Sequence, residues 1–287
     1  MSVILGLAAA LAWGVHDLCV RFAAPGRPVL PLLAIVLAAG LVPVAALSVT
    51  LGSPWALDWP GTLLAVGAGL GFFVAGYGLY RAFAIGAVAL VAPIVGAYPI
   101  LTLLSATLSG RAPALAELIA VAVIVGGVGC VAVLSPDHAT ARGTRLQAIL
   151  WSLAAAAGFA TTFALAQAAA QSGDATAEWP KMAITRATTL LVTLLAALLA
   201  QAPQPQPQGT PALPWRLLIL MGLLDAAAMA AVALSAGLPH PEFAAVVASV
   251  FGVVTILLAR AFLSEPVRPL QWLAIAAVFS AIAGLGV

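Results

Sequence analysis

The sequence predicts an all-α membrane protein of ten transmembrane helices, arranged as two inverted five-helix repeats. Of 287 residues, 64% are hydrophobic and only 7% are charged, against about 25% charged residues in ordinary soluble domains. Ten apolar runs each approach the ~20 residues that a helix needs to cross a bilayer. Each half of the chain holds five of these runs. An odd number of spans reverses the orientation of the second half in the membrane.

The ten spans can be placed along the chain from their apolar stretches. Helices are expected because lipid leaves no water to satisfy open backbone groups. The third and fourth spans are separated only by Ile85, Gly86 and Ala87, which must form a very short turn. The first run lacks the basic segment of a secretory signal, so we expect it to be retained. The predicted spans are residues 3–22, 29–51, 60–83, 87–108, 114–134, 146–170, 180–201, 214–236, 241–260 and 267–286.

Two pairs of similar segments, each with one member in either half of the chain, indicate the repeat. Residues 7–14 resemble residues 153–160, which lie 146 positions later, and residues 103–117 resemble residues 257–271, which lie 154 positions later. An insertion between the paired segments explains why the offset grows from 146 to 154 positions. We place this insertion at the Gln/Pro tract at 201–208, which we expect to be an extended loop. Chance similarity between Ala- and Leu-rich segments is the alternative. We predict a first repeat at 1–135, an inter-repeat loop at 136–145 and a second repeat at 146–287.

The basic residues predict the orientation of the protein in a cell membrane. One face collects eight arginines and the other only two basic residues, and basic loops stay cytoplasmic. Both termini are therefore predicted to be non-cytoplasmic. The first face holds Arg21, Arg27, Arg81, Arg142, Arg145, Arg216, Arg260 and Arg268, and the second holds Arg111 and Lys181.

Composition also limits the partners of this chain. A net charge of +2 gives no reason to expect a nucleic-acid partner. Cys19 and Cys130 both lie in apolar runs, which argues against a disulfide framework or a zinc site. We expect no metal and no cofactor. The lipid bilayer and a small-molecule substrate are the expected partners, and both a monomer and a homo-oligomer fit the sequence.

The first span carries His16 and Asp17 past its middle. A charged group near the bilayer centre costs roughly 2.5–3.5 kcal/mol, so each needs a reason. Trp13 lies three residues before His16 and shares its helix face, which favours the wall of a substrate cavity. The alternatives are a helix–helix hydrogen bond for His16, and an interfacial position or an ion pair with Arg21 for Asp17. Asp17 is also a candidate for proton or charge coupling.

The third and fourth spans hold every tyrosine of the chain: Tyr77, Tyr80 and Tyr98. Tyr77 and Tyr80 are three residues apart and are expected to share a helix face. Because a phenol in lipid needs a partner or a wet cavity, we favour cavity lining over simple packing. Pro93 and Pro99 interrupt hydrogen bonding in the fourth span, and we interpret them as hinges rather than fixed bends.

The second half offers fewer polar residues within its spans. Phe159 and Thr162, in the sixth span, occupy the repeat positions of Trp13 and His16. Arg186 lies about a turn inside the seventh span and is expected to reach the interface rather than pair with a carboxylate. Asp225, at the midpoint of the eighth span, could carry a proton or a cation, bind an amino group, or hydrogen-bond a neighbouring backbone in its protonated form. Glu265, before the tenth span, is interpreted as a helix cap.

An ordered set of short motifs is similar to EamA-type members of the drug/metabolite transporter superfamily. The set comprises Trp13-Gly14 with Arg21, then Tyr80-Arg81-Ala82-Phe83 with Gly86-Ala87 and Pro93, Gly110-Arg111 with Glu117, and Ser264-Glu265-Pro266 with Gln271. Within the superfamily the chain looks most like the YddG-type amino-acid exporter branch. It departs from the family pattern at Arg111, where an acidic residue is usual.

This resemblance implies a central cavity walled mainly by the first, third and fourth helices of each half. It places Phe159 and Thr162 opposite a first-half wall made of Trp13, His16, Tyr77, Tyr80 and Tyr98. It implies a secondary transporter that exports small metabolites by alternating access, with aromatic or apolar amino acids as the expected substrates. A broad drug or metabolite exporter and a sugar-nucleotide carrier are the alternatives. An intramembrane enzyme is disfavoured, because Asp17 and Asp225 are the only deep acids.

Overall fold

The computed structural model describes residues 1–51, 57–108, 112, 114–134, 144–173, 175–200, 213–235, 244, 247–248 and 250–285. Over these residues the chain is helical, with short connections and no β-strand, which confirms the all-α prediction. The helices are α1 (Ser2–Ala23), α2 (Val29–Thr50), α3 (Trp59–Ile85), α4 (Val88–Gly96), α5 (Pro99–Leu108), α6 (Leu115–Leu134), α7 (Arg145–Gln171), α8 (Glu178–Leu199), α9 (Trp215–Ser235), α10 (Phe251–Leu263) and α11 (Pro269–Leu285), with a 3-10 turn at Ala175–Ala177 before α8.

The lengths and surfaces of these helices are those of a multi-pass membrane protein. In the described part of the chain, six helices are long and apolar enough to cross a membrane: α1, α2, α3, α7, α8 and α9. Shorter apolar helices lie within α6, α10 and α11. Leu191, Phe262 and Leu273 are 67%, 68% and 68% exposed. Lipid accommodates such an outer surface of large apolar side chains, whereas water opposes it.

The helix boundaries follow local sequence signals. The predicted turn between the third and fourth spans is confirmed, since α3 ends at Ile85 and α4 begins at Val88. Thr144 and Gln147 form a capping box at the start of α7, so Arg145 belongs to this helix and not to the predicted inter-repeat loop. Residues 136–143 of that loop, the tract at 201–208, the start of the predicted ninth span and Arg111 lie outside the described residues.

The fourth predicted span is broken into α4 and α5 by a turn at Ala97 and Tyr98. Pro93 lies inside α4, and Pro99 is the first residue of α5. A proline is tolerated in the first turn of a helix, where its missing N–H has no partner to lose. The backbone N–H of Ala97 still donates to the Pro93 carbonyl at 3.1 Å. The interruption predicted from the two prolines is therefore present, and it places Tyr98 in the break itself.

Helices α3 and α7 form the most extensive contact of the described structure. Glycines of α3 allow it: a Cβ added at Gly78 would lie 2.9 Å from the Trp151 carbonyl oxygen of α7, and one at Gly71 would lie 3.1 Å from the Thr162 amide nitrogen. Two backbones can approach this closely only where a side chain is absent. The contact joins a helix of the first predicted repeat to a helix of the second.

The packing of the remaining helices follows a reciprocal pattern. Helix α1 packs along α9 and α10, and α7 packs along α3 and α4. Helix α2 contacts α8 and α9, α3 contacts α8, and α6 contacts α11. In terms of the ten predicted spans, the first span of each half thus lies against the third and fourth spans of the other half. The two halves are interleaved, and their shared interior contains the polar side chains.

Candidate functional site

A buried hydrogen-bond network joins α1, α8 and α9 near the middle of the spans. Arg186 Nη2 donates to Asp225 Oδ2 at 2.7 Å, and Trp13 Nε1 donates to Asp225 Oδ1 at 2.9 Å. Arg186 is 1% exposed and Asp225 is 7% exposed. Each carboxylate oxygen of Asp225 therefore has a donor, and its charge is neutralised by a guanidinium in direct contact.

A second pair of titratable side chains lies on the same segment of α1. His16 Nδ1 lies 3.0 Å from Asp17 Oδ1, and both residues are buried. The ring of Tyr80, from α3, lies 6.2 Å from the His16 ring. Since Trp13 and His16 are three residues apart on one helix face, this pair neighbours the Asp225 network. We call Trp13, His16, Asp17, Tyr80, Arg186 and Asp225 the inner polar centre.

Small residues make room for the guanidinium of Arg186. A Cβ added at Gly40 of α2 would lie 2.7 Å from Arg186 Nη1 and 2.8 Å from the Gly222 carbonyl oxygen of α9. The close crossing of α2 and α9 at these two glycines leaves a space that the arginine fills. The expectation that Arg186 reaches the membrane interface is wrong, because α9 brings a carboxylate within direct reach of it in the interior.

Aromatic rings from both halves lie beside the inner polar centre. The Tyr98 ring lies 5.0 Å from Phe163 and 6.4 Å from Phe159. Phe159 in turn lies 6.2 Å from Phe72, and the Arg186 guanidinium carbon lies 6.0 Å from the Phe72 ring. These separations are typical of aromatic pairs and cation–π contacts. We call Phe72, Tyr98, Phe159 and Phe163 the aromatic group.

An equivalent contact occurs between α1 and α10. Trp13 packs edge-on against Phe251, with 6.1 Å between the ring centroids. Phe251 is the first residue of α10, and Val250 just before it lies in a turn. Phe251 therefore lies next to a turn in the ninth predicted span, and Tyr98 lies in a turn in the fourth predicted span. The aromatic residue of the first span in each half thus contacts an aromatic residue at a turn in the other half.

Tyr77 and Thr162, two of the predicted cavity-wall residues, contact groups outside the inner polar centre. Tyr77 contacts Trp151 at 5.4 Å and Phe73 at 6.0 Å, whereas Tyr80 faces His16. Tyr77 and Tyr80, which were predicted to share a helix face, therefore contact different residues. The Thr162 hydroxyl lies 2.8 Å from the Gly158 carbonyl oxygen and 3.3 Å from that of Ala68, so it is engaged by backbone in the α3–α7 contact.

Sequence reasoning overlooked Phe72 and Phe163 and misjudged the role of Arg186. Phe163 follows Phe159 by four residues, so the spacing along α7 could have revealed that the two share a face. Phe72 and Arg186 depend on which helices become neighbours, which one sequence does not state. The alternative of an Asp17–Arg21 ion pair is also wrong, because Arg21 Nε donates instead to Glu265 Oε1 at 2.9 Å.

Glu265 and Arg21 tie three segments together at one end of the bundle. Glu265 Oε2 accepts from the Val88 amide at 2.8 Å, and Arg21 Nη1 donates to the Phe83 carbonyl at 3.1 Å. Glu265 therefore caps a helix, as predicted. The helix is α4 of the other half, however, and not α11, which follows Glu265 in the sequence. We call this the Arg21–Glu265 clamp.

An ion pair at the other end also links the two halves. Lys181 Nζ, at the start of α8, lies 2.9 Å from Asp58 Oδ1, in front of α3. Lys181 also donates to the carbonyls of Ala169 and Ser172. The hydrogen bond from Lys181, followed by that from the Gly61 amide, holds the pKa of Asp58 below its ordinary value of 3.8. We call this the Asp58–Lys181 clamp.

Comparison with known proteins agrees with a transport protein. Residues 146–287 match the model of the EamA-like transporter family. The second half of the chain is similar to an EamA-like transporter domain. The match supports a membrane transporter of the drug/metabolite transporter superfamily. A solved crystal structure of another protein, 16% identical, aligns with a TM-score of 0.65 over 99% of this chain and 97% of its own, which concerns the fold alone. No curated protein sequence matches the chain.

Proposed function

We propose that this protein is a secondary transporter that exports small amphipathic metabolites, chiefly amino acids with aromatic or apolar side chains, by alternating access. The observation that carries the proposal is the inner polar centre, in which Trp13, Arg186 and Asp225 join helices of both halves. Charges inside a membrane are expensive and typically mark substrate or ion pathways. A bundle that needed only stability would pack apolar side chains there.

The aromatic group supports the class of substrate. Tyr98 belongs to the first half and Phe159 to the second, and their rings lie 6.4 Å apart. A metabolite with an apolar body and a polar head is matched by rings beside hydrogen-bonding groups. His16 and Tyr80 are proposed to meet the head, and Trp13, Phe159 and Tyr98 the side chain. Tyr77 and Thr162 remain proposed wall residues, although Tyr77 contacts Trp151 and Phe73 and the Thr162 hydroxyl is bonded to backbone carbonyls.

Alternating access follows from the proposed inverted repeat of residues 1–135 and 146–287. The reciprocal packing of α1 on α9 and of α7 on α3 supports this repeat, as do the paired contacts Trp13–Phe251 and Phe159–Tyr98. The family match over residues 146–287 supports its boundary. Halves related in this way can rock about a central site. Pro93 and Pro99, on either side of the α4–α5 turn, are proposed hinges for this motion.

Charge coupling is proposed to involve Asp17 and Asp225 in different ways. Asp225 is held by Arg186 and Trp13, so it is suited to a fixed role in the network. Asp17 has one oxygen near His16 and its other oxygen without a hydrogen-bond partner among the described residues. A sugar-nucleotide carrier is less well supported, because a diphosphate needs several cations and Arg186 is the only lysine or arginine of the inner polar centre.

Counterflow in proteoliposomes tests the proposal. Purified protein is reconstituted in liposomes loaded with unlabelled phenylalanine, and uptake of labelled phenylalanine, leucine, glutamate and a nucleotide sugar is measured with and without a pH gradient. We expect uptake of phenylalanine and leucine above that of protein-free liposomes, and a loss of most of it in Trp13→Ala. Absence of any amino-acid uptake by the wild-type protein contradicts the proposal.

A further inference from the structure

The inner polar centre contains buried polar atoms whose hydrogen bonds are not made. Within the described part of the chain, Asp17 Oδ2, the Tyr80 hydroxyl, and Nε and Nη1 of Arg186 have no hydrogen-bond partner. The three residues are 3%, 1% and 1% exposed. Buried polar groups in proteins are nearly always satisfied, and a buried charged group without its partner is especially unfavourable. A ligand that supplies the missing partners is therefore strongly favoured here.

The unmet atoms are of two opposite kinds. Asp17 Oδ2 is a carboxylate oxygen, which accepts hydrogen bonds and attracts a cation. Arg186 Nε and Nη1 carry N–H groups, which donate and attract an anion such as a carboxylate. The Tyr80 hydroxyl can do either. The complementary ligand is a small molecule with an ammonium group and a carboxylate group.

We propose that the inner polar centre is a zwitterion-binding site, in which Asp17 binds the ammonium group and Arg186 binds the carboxylate of the substrate. The assignment rests on the proposed transport function and defines its substrate class: both head groups are required. Asp225 serves as a positioning residue, since it holds the Arg186 guanidinium through Nη2, while Nε and Nη1 have no hydrogen-bond partner among the described residues.

Ligands with a single charge match the site less well. Arg186 and Asp225 pair with each other at 2.7 Å, so Asp17 is the carboxyl group of the centre that is left to attract an ammonium group. An amine without a carboxylate would nevertheless leave the free N–H groups of Arg186 unmet. An acid without an ammonium group would leave Asp17 unpaired and would add negative charge. Only the zwitterion satisfies both sides.

The surroundings of Arg186 also indicate where the side chain of the ligand lies. Phe72 lies 6.0 Å from the guanidinium and 6.2 Å from Phe159, and Phe159 contacts Tyr98. A ligand whose carboxylate is held at Arg186 can extend its side chain along these rings. This arrangement accounts for a preference for aromatic and apolar amino acids, because burial against the rings rewards apolar area.

Analogues that lack one head group test the inference on the wild-type protein. Counterflow of labelled phenylalanine is measured against competing phenylalanine, phenethylamine and 3-phenylpropionate. We expect both analogues to compete at least about tenfold more weakly than phenylalanine, because each loses a charge-assisted hydrogen bond. Equal competition by either analogue overturns the zwitterion site and leaves amino-acid transport standing.

Variants assign the two head groups. Arg186→Gln is expected to weaken phenylalanine about tenfold or more relative to phenethylamine, which has no carboxylate to lose, and Asp17→Asn is expected to weaken both. Arg81→Gln is the matched control, since Arg81 lies over the Trp151 ring at 5.6 Å and outside the centre. It should keep wild-type selectivity. Parallel behaviour of Arg186→Gln and Arg81→Gln overturns the assignment.

Binding measured without transport separates the two proposals. If phenylalanine does not move through the wild-type protein, titration calorimetry on the purified protein decides whether it binds. Binding that requires both head groups retains the zwitterion site and rejects the transport function. No binding of phenylalanine rejects both. Variants that are not monodisperse on gel filtration are replaced by the analogue series, which needs no substitution.

Discussion

At the scale of single residues, the same side chain can be costly or stabilising according to its partners. Asp225 and Arg186 are among the most buried charges of the described chain, yet they contact each other at 2.7 Å. Asp17 is equally buried and keeps one oxygen unmet. Buried polar networks stabilise fully only when every member is satisfied, so the partly bonded Asp17 fits the ligand site that we propose.

Acid should destabilise the protein through Asp58. Its pKa is lowered by Lys181 and by the Gly61 amide, so the folded state binds its proton less readily than the unfolded state. The stabilisation is fully present above the ordinary carboxyl pKa and is lost as pH falls through the lowered folded value. We therefore expect little change between about pH 7 and pH 5 and a decline below about pH 4.

Thermal unfolding of detergent-solubilised protein across this pH range is the measurement. Asp58→Asn should lower the unfolding temperature at neutral pH and flatten its dependence on acid. Both effects follow from the loss of the carboxylate that Lys181 Nζ meets at 2.9 Å. Wild-type and variant curves that stay parallel down to about pH 3 count against this account.

At the scale of helices, close backbone contact rather than side-chain interlock holds α3 to α7. A Cβ at Gly158 would press on the backbone of Ala75 and lie 2.8 Å from the Gly71 carbonyl oxygen. We expect Gly158→Ala to destabilise the protein by roughly 1–3 kcal/mol, because overpacking forces the helices apart. The change is read from the unfolding midpoint in denaturant.

Gly126→Ala is the control for that substitution. Gly126 lies on α6, and a Cβ there would meet nothing within 4 Å in the described structure. Alanine favours the helix over glycine by up to about 1 kcal/mol, so this variant should be unchanged or slightly more stable. Equal destabilisation by both substitutions would mean that the α3–α7 approach is not the cause.

Helix existence was predictable from sequence, and helix partners were not. Apolar length alone placed α1, α2 and α3 within a few residues, because a membrane demands about 20 apolar residues per span. Pro93 and Pro99 predicted the break in the fourth span, because proline lacks the backbone N–H that a helix uses as a hydrogen-bond donor. The pairing of Arg186 with Asp225 depends on the crossing of α2 and α9 at Gly40 and Gly222, which no local pattern encodes. Long-range contacts of this kind decide the site.

At the scale of the whole molecule, the two clamps lie at opposite ends of the bundle. The Arg21–Glu265 clamp joins the end of α1 to the connection before α11, and the Asp58–Lys181 clamp joins the start of α3 to the start of α8. Each crosses between the predicted halves, and both ion pairs are formed in this structure, each at 2.9 Å. A motion of the proposed transporter that opens either end would therefore have to break the ion pair of the clamp at that end.

The orientation of these ends in the membrane remains a prediction that can be tested directly. Basic residues concentrate on the side of the Arg21–Glu265 clamp, where Arg27, Arg81 and Arg260 also lie, and basic connections stay cytoplasmic. A reporter that fluoresces only in the cytoplasm should stay dark when fused after Val287. The same reporter inserted in the tract at 201–208 should be bright, since that tract connects two spans on the basic side. The reverse pattern would turn the whole bundle over and place the Asp58–Lys181 clamp in the cytoplasm, because an even number of spans fixes both termini to one side.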